Sequence, residues 1–245
     1  MPPALGMLGR PIDARHGGQG SKPRRERNVS EVLQAEQLTV RRGSEVLFQA
    51  LNFVLQPGQM TWLRGSNGSG KTSLLRVVAG LAQADSGRLL WGGVPLSQAE
   101  GYREKLCYLG HANGLKDDLS AMESLQFLTA LHGRHYRPER LQAALGHMGV
   151  AHRRTLPTRW LSQGQRRRVA LARLVLETAP GLWVLDEPFD ALDDAGVACV
   201  QQLLVDHVQR GGSVLFTSHI PVQPAGVALQ TLQLQGKSKA TSPAL

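Results

Sequence analysis

One nine-residue stretch constrains this chain more than any other. Gly65-Ser66-Asn67-Gly68-Ser69-Gly70-Lys71-Thr72-Ser73 lies between an apolar strand-like run, Met60 to Leu63, and a segment in which Leu74, Leu75, Val77, Val78 and Leu81 recur at helical spacing. A strand, a glycine loop and a helix in that order suit a polyphosphate. Glycines let successive backbone N–H groups curl around phosphate oxygens without Cβ interference, and the helix N-terminus adds a dipole that favours negative charge. In this pattern Lys71 bridges the β- and γ-phosphates and the Thr72 hydroxyl is a ligand for Mg²⁺. The competing reading is an ordinary Gly/Ser turn, and a second motif argues against it.

Leu182-Trp183-Val184-Leu185 is an apolar run of the kind buried in parallel sheets, and it ends in Asp186-Glu187-Pro188. Two carboxylates therefore stand at the C-terminal edge of a strand, where ligands collect in open α/β sheets. Asp186 is the candidate for the Mg²⁺ shell and Glu187 for the general base that polarises an attacking water. The 115 positions between Lys71 and Asp186 exceed what one crossover helix needs. Ala121 to Leu131 and Pro138 to His147 read as helices, with Ser120 and Glu123 at capping-box spacing ahead of the first. The expectation is a helical lobe inserted into a sheet domain, over about 112–175. Near its end Ser162 and Gly164 precede another helix, a second N-terminus able to receive a phosphate. The arginines 166–168 that follow alternate with apolar residues and read as a solvated helix face.

Composition narrows the setting. The 245 residues carry a net charge of +9, which invites an anionic partner without choosing among nucleotide, nucleic acid and lipid. Residues 1–30 hold six of the cations against two acids, with several prolines and glycines and no apolar period, and read as a disordered basic tail without the h-region of a secretory signal. Residues 31–245 form the folded unit. Cys107 and Cys199 have no metal-ligand spacing, and no apolar run approaches the ~20 residues that span a bilayer. The histidines show no haem-ligating arrangement.

With these motifs in view the sequence resembles the ABC-type ATPases from about Leu38 to His219. Gly65 to Thr72 matches their Walker A loop. Leu161-Ser162-Gln163-Gly164-Gln165 matches the signature, with Gln163 where glycine is usual, and Leu182 to Asp186 matches Walker B, with Glu187 following. Ala191-Leu192-Asp193 matches the D-loop and Thr217-Ser218-His219 the switch histidine. The resemblance implies an α/β P-loop NTPase of ABC type, with a mixed sheet core, an N-terminal antiparallel β portion and the inserted helical subdomain. It implies ATP and Mg²⁺ as ligands, and a head-to-tail homodimer in which Ser162, Gly164 and Gln165 of one copy meet the ATP on Lys71 of the other. His219 is then placed at the γ-phosphate.

Two departures are informative. His111, in Tyr108-Leu109-Gly110-His111, stands where the family's Q-loop glutamine sits, and it brings a ring that, unlike an amide, takes up a proton. Near the first strand the aromatic that usually stacks on adenine is missing, and Arg41-Arg42 occupies its neighbourhood; a guanidinium plane stacks on a base too. The YLGH segment, Gly114-Leu115-Lys116, and Leu119 to Leu125 are together similar to the CcmA family, ATP-binding subunits of the bacterial haem exporter of cytochrome c maturation. That resemblance implies a membrane-spanning partner similar to CcmB, an association with CcmC, a peripheral position on the cytoplasmic face of the inner membrane, and no nucleic acid. The alternatives are the ATPase of another ABC transporter, or a soluble nucleic-acid-associated ABC ATPase. Against the latter stand the single ATPase unit and the absence of a long coiled-coil insertion.

Overall fold

The computed structural model describes residues 31–235, so the basic tail over 1–30 lies outside the described residues. The strands are β1 (Leu33–Arg42), β2 (Glu45–Leu55), β3 (Met60–Arg64), β4 (Ser86–Trp91), β5 (Val94–Pro95), β6 (Leu106–Leu109), β7 (Leu182–Leu185), β8 (Ser213–Thr217) and β9 (Leu229–Gln233). The helices are α1 (Lys71–Val78), α2 (Tyr102–Lys105), α3 (Ala121–Ala130), α4 (Pro138–His147), α5 (Gln163–Leu176) and α6 (Asp194–Gln209). Among the described residues no helix is long and apolar enough to cross a membrane.

Two sheets result, as the mixed architecture requires. One is antiparallel, in the order β2-β1-β4-β5, and the other is parallel, in the order β6-β7-β8-β3-β9. The parallel strands β7 and β8 are buried along their whole length, which explains their uninterrupted apolar runs. Their side chains alternate between two cores. Leu182, Val184 and Leu215 join α1 and the antiparallel sheet, whereas Trp183, Leu185, Val214 and Phe216 face α5, α6 and the lobe. The parallel sheet is therefore the middle layer, and its loops are free to carry chemistry at the C-terminal ends of the strands.

Local signals explain the lobe. The Ser120 side chain accepts from the Glu123 N–H at 3.2 Å while the Glu123 carboxylate accepts from the Ser120 N–H at 2.8 Å, a complete capping box that starts α3. The same carboxylate accepts from the Ser120 hydroxyl, and this hydrogen bond holds Glu123 below the usual carboxylate range. Pro138 starts α4 with its ring in the first turn. Buried Leu125, Leu141, Ala144, Leu145, Val169 and Leu171 join α3, α4 and α5 into the larger core.

One core residue makes stability sensitive to acid. His207, on α6, is fully buried and stacks on Trp183 with ring centroids 3.8 Å apart and planes at 9°. Its Nε2 lies 3.0 Å from the Gly181 carbonyl, which only accepts, so Nε2 carries the proton of a neutral ring. A Cβ at Gly212 would lie 2.2 Å from that ring, so the chain turning into β8 keeps a glycine there. Burial pushes the His207 pKa down to about 4.

The unfolded chain thus takes up a proton near the ordinary pKa of ~6.5, and the folded chain only near the depressed value. Stability from the neutral ring is complete above about pH 6.5 and is lost as pH falls toward and through about 4, by roughly 3 kcal/mol in all. Urea unfolding at pH 7 and pH 4.5 should show this loss in the wild type, with a reduction of about that size in His207→Phe; equal losses in both would contradict the assignment.

Candidate nucleotide site

The strand order fixes which loops meet. Because β8 lies between β7 and β3, the C-terminal end of β8 separates the glycine loop after β3 from the carboxylates after β7. Thr217, the last residue of β8, bridges that gap. Its hydroxyl donates to Asp186 Oδ1 at 2.8 Å and accepts from the Glu187 N–H at 2.8 Å. The other oxygen, Oδ2, accepts from the Thr72 hydroxyl at 2.8 Å, so both oxygens of a carboxylate that is only 3% exposed are satisfied.

The glycine loop wraps the start of α1. Gly70, the N-cap, has φ +95° and makes no side-chain cap, and a Cβ there would lie 2.9 Å from Leu47 Cβ and 3.0 Å from the Phe48 ring. Glycine is required at that position twice over, by backbone conformation and by close approach. Lys71 Nζ donates to the Gly65 carbonyl at 2.9 Å and the Ser66 carbonyl at 3.2 Å, and the Ser69 N–H donates to the Ser66 carbonyl at 3.1 Å. The Ser69 hydroxyl is buried without a partner. With no side-chain cap and no acid in the first turn, the N-terminus of α1 suits an anion.

A cleft of 360 Å³ runs over this loop, lined by Asn67, Gly68, Gly70, Lys71, Thr72 and Ser73, by Asp186, Glu187 and Asp190, and by His111 and His219. Arg42 and Leu47 line it as well. Of the two arginines expected near the base, Arg42 lines the cleft and Arg41 does not. Glu187 stands at φ +50°, a left-handed conformation that is uphill for a residue with a side chain. Its carboxylate accepts from the His219 N–H at 3.0 Å and lies 3.4 Å from the His219 ring. Thr72 and Asp186 offer hard oxygens side by side, a donor set that fits Mg²⁺ completed by phosphate and water. Among the described residues no cluster of three or more His, Cys, Asp or Glu forms an all-protein metal cage.

The signature residues do not line this cleft. Ser162 is the N-cap of α5, its hydroxyl accepting from the Gln165 N–H at 3.2 Å while Gln165 Oε1 accepts from the Ser162 N–H at 3.1 Å. Gly164 lies in the first turn, and a Cβ there would lie 2.5 Å from the Ala191 carbonyl, so the D-loop packs against the signature turn within one chain.

The arginines 166–168 are not a solvated face. Arg167 is 3% exposed, and burial lowers its pKa while the carboxylates of Asp190, Asp186 and Glu187 act the other way. Arg166 pairs with Asp117 at 2.7 Å, and Arg168 with Asp193. A helical-wheel argument counts Arg as polar and misses a guanidinium directed inward at backbone carbonyls. Thr217 was legible only as a neighbour of the switch histidine; the signal for its role is its place at the end of a fully buried strand.

The ABC transporter family model matches residues 48–190. The cytochrome c biogenesis ATP-binding export protein CcmA of Albidiferax ferrireducens is 46% identical over 204 residues, which are 83% of this chain and 97% of that one. The protein of the same name from Nitrosospira multiformis is 45% identical, over 82% of this chain and 98% of the relative. Among solved structures, a putative ABC transporter ATP-binding protein from Pyrococcus furiosus superposes with a TM-score of 0.70 at 23% identity, covering 83% of this chain and 97% of that one, a likeness of fold. The cbiO1 protein of Clostridium perfringens, described as part of an ABC transporter complex, gives 0.61 at 28% identity, covering 78% and 79% of the two chains.

The bridging role of Thr217 predicts that Thr217→Val, which keeps the shape but removes the hydroxyl, destabilises the fold by roughly 2–4 kcal/mol, because a buried N–H and a carboxylate oxygen lose their partner. Thr217→Ser should recover most of this in urea unfolding. A valine variant as stable as wild type would show that the bridge is dispensable.

Proposed function

The chain belongs to the ABC transporter family of ATP-binding subunits, and within it to the CcmA proteins; from that premise we propose that it hydrolyses Mg²⁺-bound ATP in this cleft to drive a membrane complex of c-type cytochrome biogenesis. The observation that carries the reading is the convergence, in one cleft, of an uncapped helix start with Lys71, the buried Asp186 and a Glu187 held by His219.

In this reading Gly65 to Ser73 hold the phosphates, with Lys71 at the β- and γ-phosphates and Arg42 stacked on the base. Thr72 and Asp186 hold the Mg²⁺, which when bound offsets charge on the phosphate oxygens. Glu187 takes a proton from water, the water oxygen bonds to the γ-phosphorus, and the bond to the bridging oxygen breaks to leave ADP and phosphate. His219 donates to the γ-phosphate. Ser162, Gly164 and Gln165 complete the site from a second copy in a head-to-tail dimer.

A second cleft supports a membrane-spanning partner similar to CcmB, with CcmC in the same complex and the chain on the cytoplasmic face of the bacterial inner membrane. This 980 Å³ groove runs between the end of α1 and the lobe, is largely apolar, and carries Leu81 and Leu131, 61% and 63% exposed. It reaches inward to Thr72 and Asp186, and His111 lines both clefts. A partner segment in the groove is thereby adjacent to the chemistry, and His111 is the residue that both would touch. Its ring replaces the glutamine of the general family pattern.

Lys71→Ala should abolish ATP binding or turnover, whereas Glu187→Gln should bind ATP and accumulate an ATP-bound dimer on gel filtration, with turnover lowered about 100-fold or more. Wild-type turnover in Glu187→Gln would refute the base assignment. A strain carrying only the Lys71→Ala chain should lack haem-stained c-type cytochromes, and normal levels would refute the biogenesis role.

His111→Gln should retain ATP binding and much of its basal hydrolysis while the stimulation of hydrolysis by the reconstituted membrane subunit changes. Unchanged stimulation would leave His111 without a role in coupling.

A further inference from the structure

Arg167 arises from the first turns of α5, the helix that Ser162 caps, yet its guanidinium bonds to segments outside that helix. Nη2 donates to the Asp186 carbonyl at 2.8 Å and to the Glu187 carbonyl at 2.6 Å. Nη1 donates to the Gly110 carbonyl at 3.1 Å and to Asn113 Oδ1 at 3.0 Å, in the segment that leaves β6 and contains His111 between them. One buried cation therefore joins the signature helix, the segment shared by the two clefts, and the turn that carries the two carboxylates. A planar guanidinium with five donors in fixed directions makes such a four-acceptor tether, and an ammonium does not.

The turn it grips is the strained one. Glu187 is held at φ +50° from both sides of its backbone, its N–H on the Thr217 hydroxyl and its carbonyl on Arg167. Thr217 belongs to the sheet and Arg167 to the lobe's helix. The Glu187 carbonyl also accepts from the Asp190 N–H at 3.1 Å, within the same turn, so Arg167 is the anchor that reaches it from α5. Without Arg167 the Asp186 carbonyl loses that donor and the Glu187 carbonyl keeps only a donor of its own turn, which loosens the strained backbone and the aim of the Glu187 carboxylate.

We propose that Arg167 is a positioning residue for ATP hydrolysis: it fixes the Glu187 turn and makes the aim of that carboxylate depend on where the lobe helix sits. The proposal rests on the reading of Glu187 as the group that activates water. It assigns no contact between Arg167 and nucleotide, so it predicts a split between binding and turnover. A misaim of about 1 Å is enough for a loss on the order of 100-fold.

The test uses the full chain with Arg167→Lys, which keeps the charge, and Arg167→Met, which fills the volume without donors. Each is made in the wild type and in Glu187→Gln, and Kd for ATP, kcat and Tm are measured. Both single variants should lower kcat about 30- to 100-fold with Kd for ATP within about threefold of wild type. Added to Glu187→Gln, neither should lower the residual turnover further, because the carboxylate they position is already gone.

Wild-type kcat in Arg167→Lys and Arg167→Met beside an inactive Glu187→Gln overturns the proposal while leaving the base assignment intact. An active Glu187→Gln instead overturns the base assignment, and the proposal with it. Weakened ATP binding together with a lower Tm, and losses that multiply in the double variants, would make Arg167 a general support of the core and also overturn it.

Discussion

The structure turns on a single buried carboxylate. Asp186 ends β7 in the middle layer, and each of its oxygens accepts a hydroxyl, from Thr72 at the start of α1 and from Thr217 at the end of β8. A carboxylate this far from water is tolerated only with such partners, so the three elements that supply and hold it have little freedom to move apart. That restraint places the glycine loop, which leads into Thr72, against Glu187, which follows Asp186. The glycine loop and the Glu187 carboxylate are brought together by the packing of a charge.

The lobe enters this arrangement through charge as well. The apolar contacts of α3, α4 and α5 belong to the core they share with the parallel sheet and α6, and such contacts are directionless. The polar links are directional. Arg134 pairs with Glu177 just beyond α5, Tyr136 donates to the Leu176 carbonyl at 3.1 Å, and Arg173 reaches the Tyr108 carbonyl in β6. The first two fasten the segment between α3 and α4 to the end of α5, while Arg173 and Arg167 join α5 to β6 and to the turns after β6 and β7, so the position of α5 relative to the parallel sheet is set by directed hydrogen bonds as well as by packing.

How much of this was legible in the sequence depends on whether the information is local. The glycine loop, the all-apolar run before Asp186 and the Ser120–Glu123 capping box are each set within a few residues, and the corresponding elements stand where their patterns place them. The sequence marks a strand-like run only over Leu38 to Arg41, and the extension of β1 back to Leu33 is hidden because the strand is irregular. Gln37 and Ala50 have φ +49° and +52°, and the register with β2 shifts near them, breaking the period of two. A Cβ at Gly87 would lie 2.3 Å from the Gln37 carbonyl, so the irregularity in β1 depends on a glycine 50 positions away. The inward turn of Arg167 was hidden for a similar reason. Its partners are carbonyls from two other segments, and carbonyls leave no mark in a sequence.

The helix N-termini show why the phosphate loop is built by tertiary contact. The starts of α3, α5 and α6 are capped by Ser120, Ser162 and Asp193, each side chain accepting from an N–H three residues on. A cap of that kind stabilises a helix by itself, using one N–H of the first turn. The start of α1 has none. Gly70 is instead pressed against Leu47 and Phe48 of β2, Thr72 is tied to Asp186, and Lys71 is tied to the loop's own carbonyls. These contacts fix the loop without using the first-turn N–H groups. The start of α1 is therefore ordered by its neighbours, and an anion placed there would meet a loop already organised.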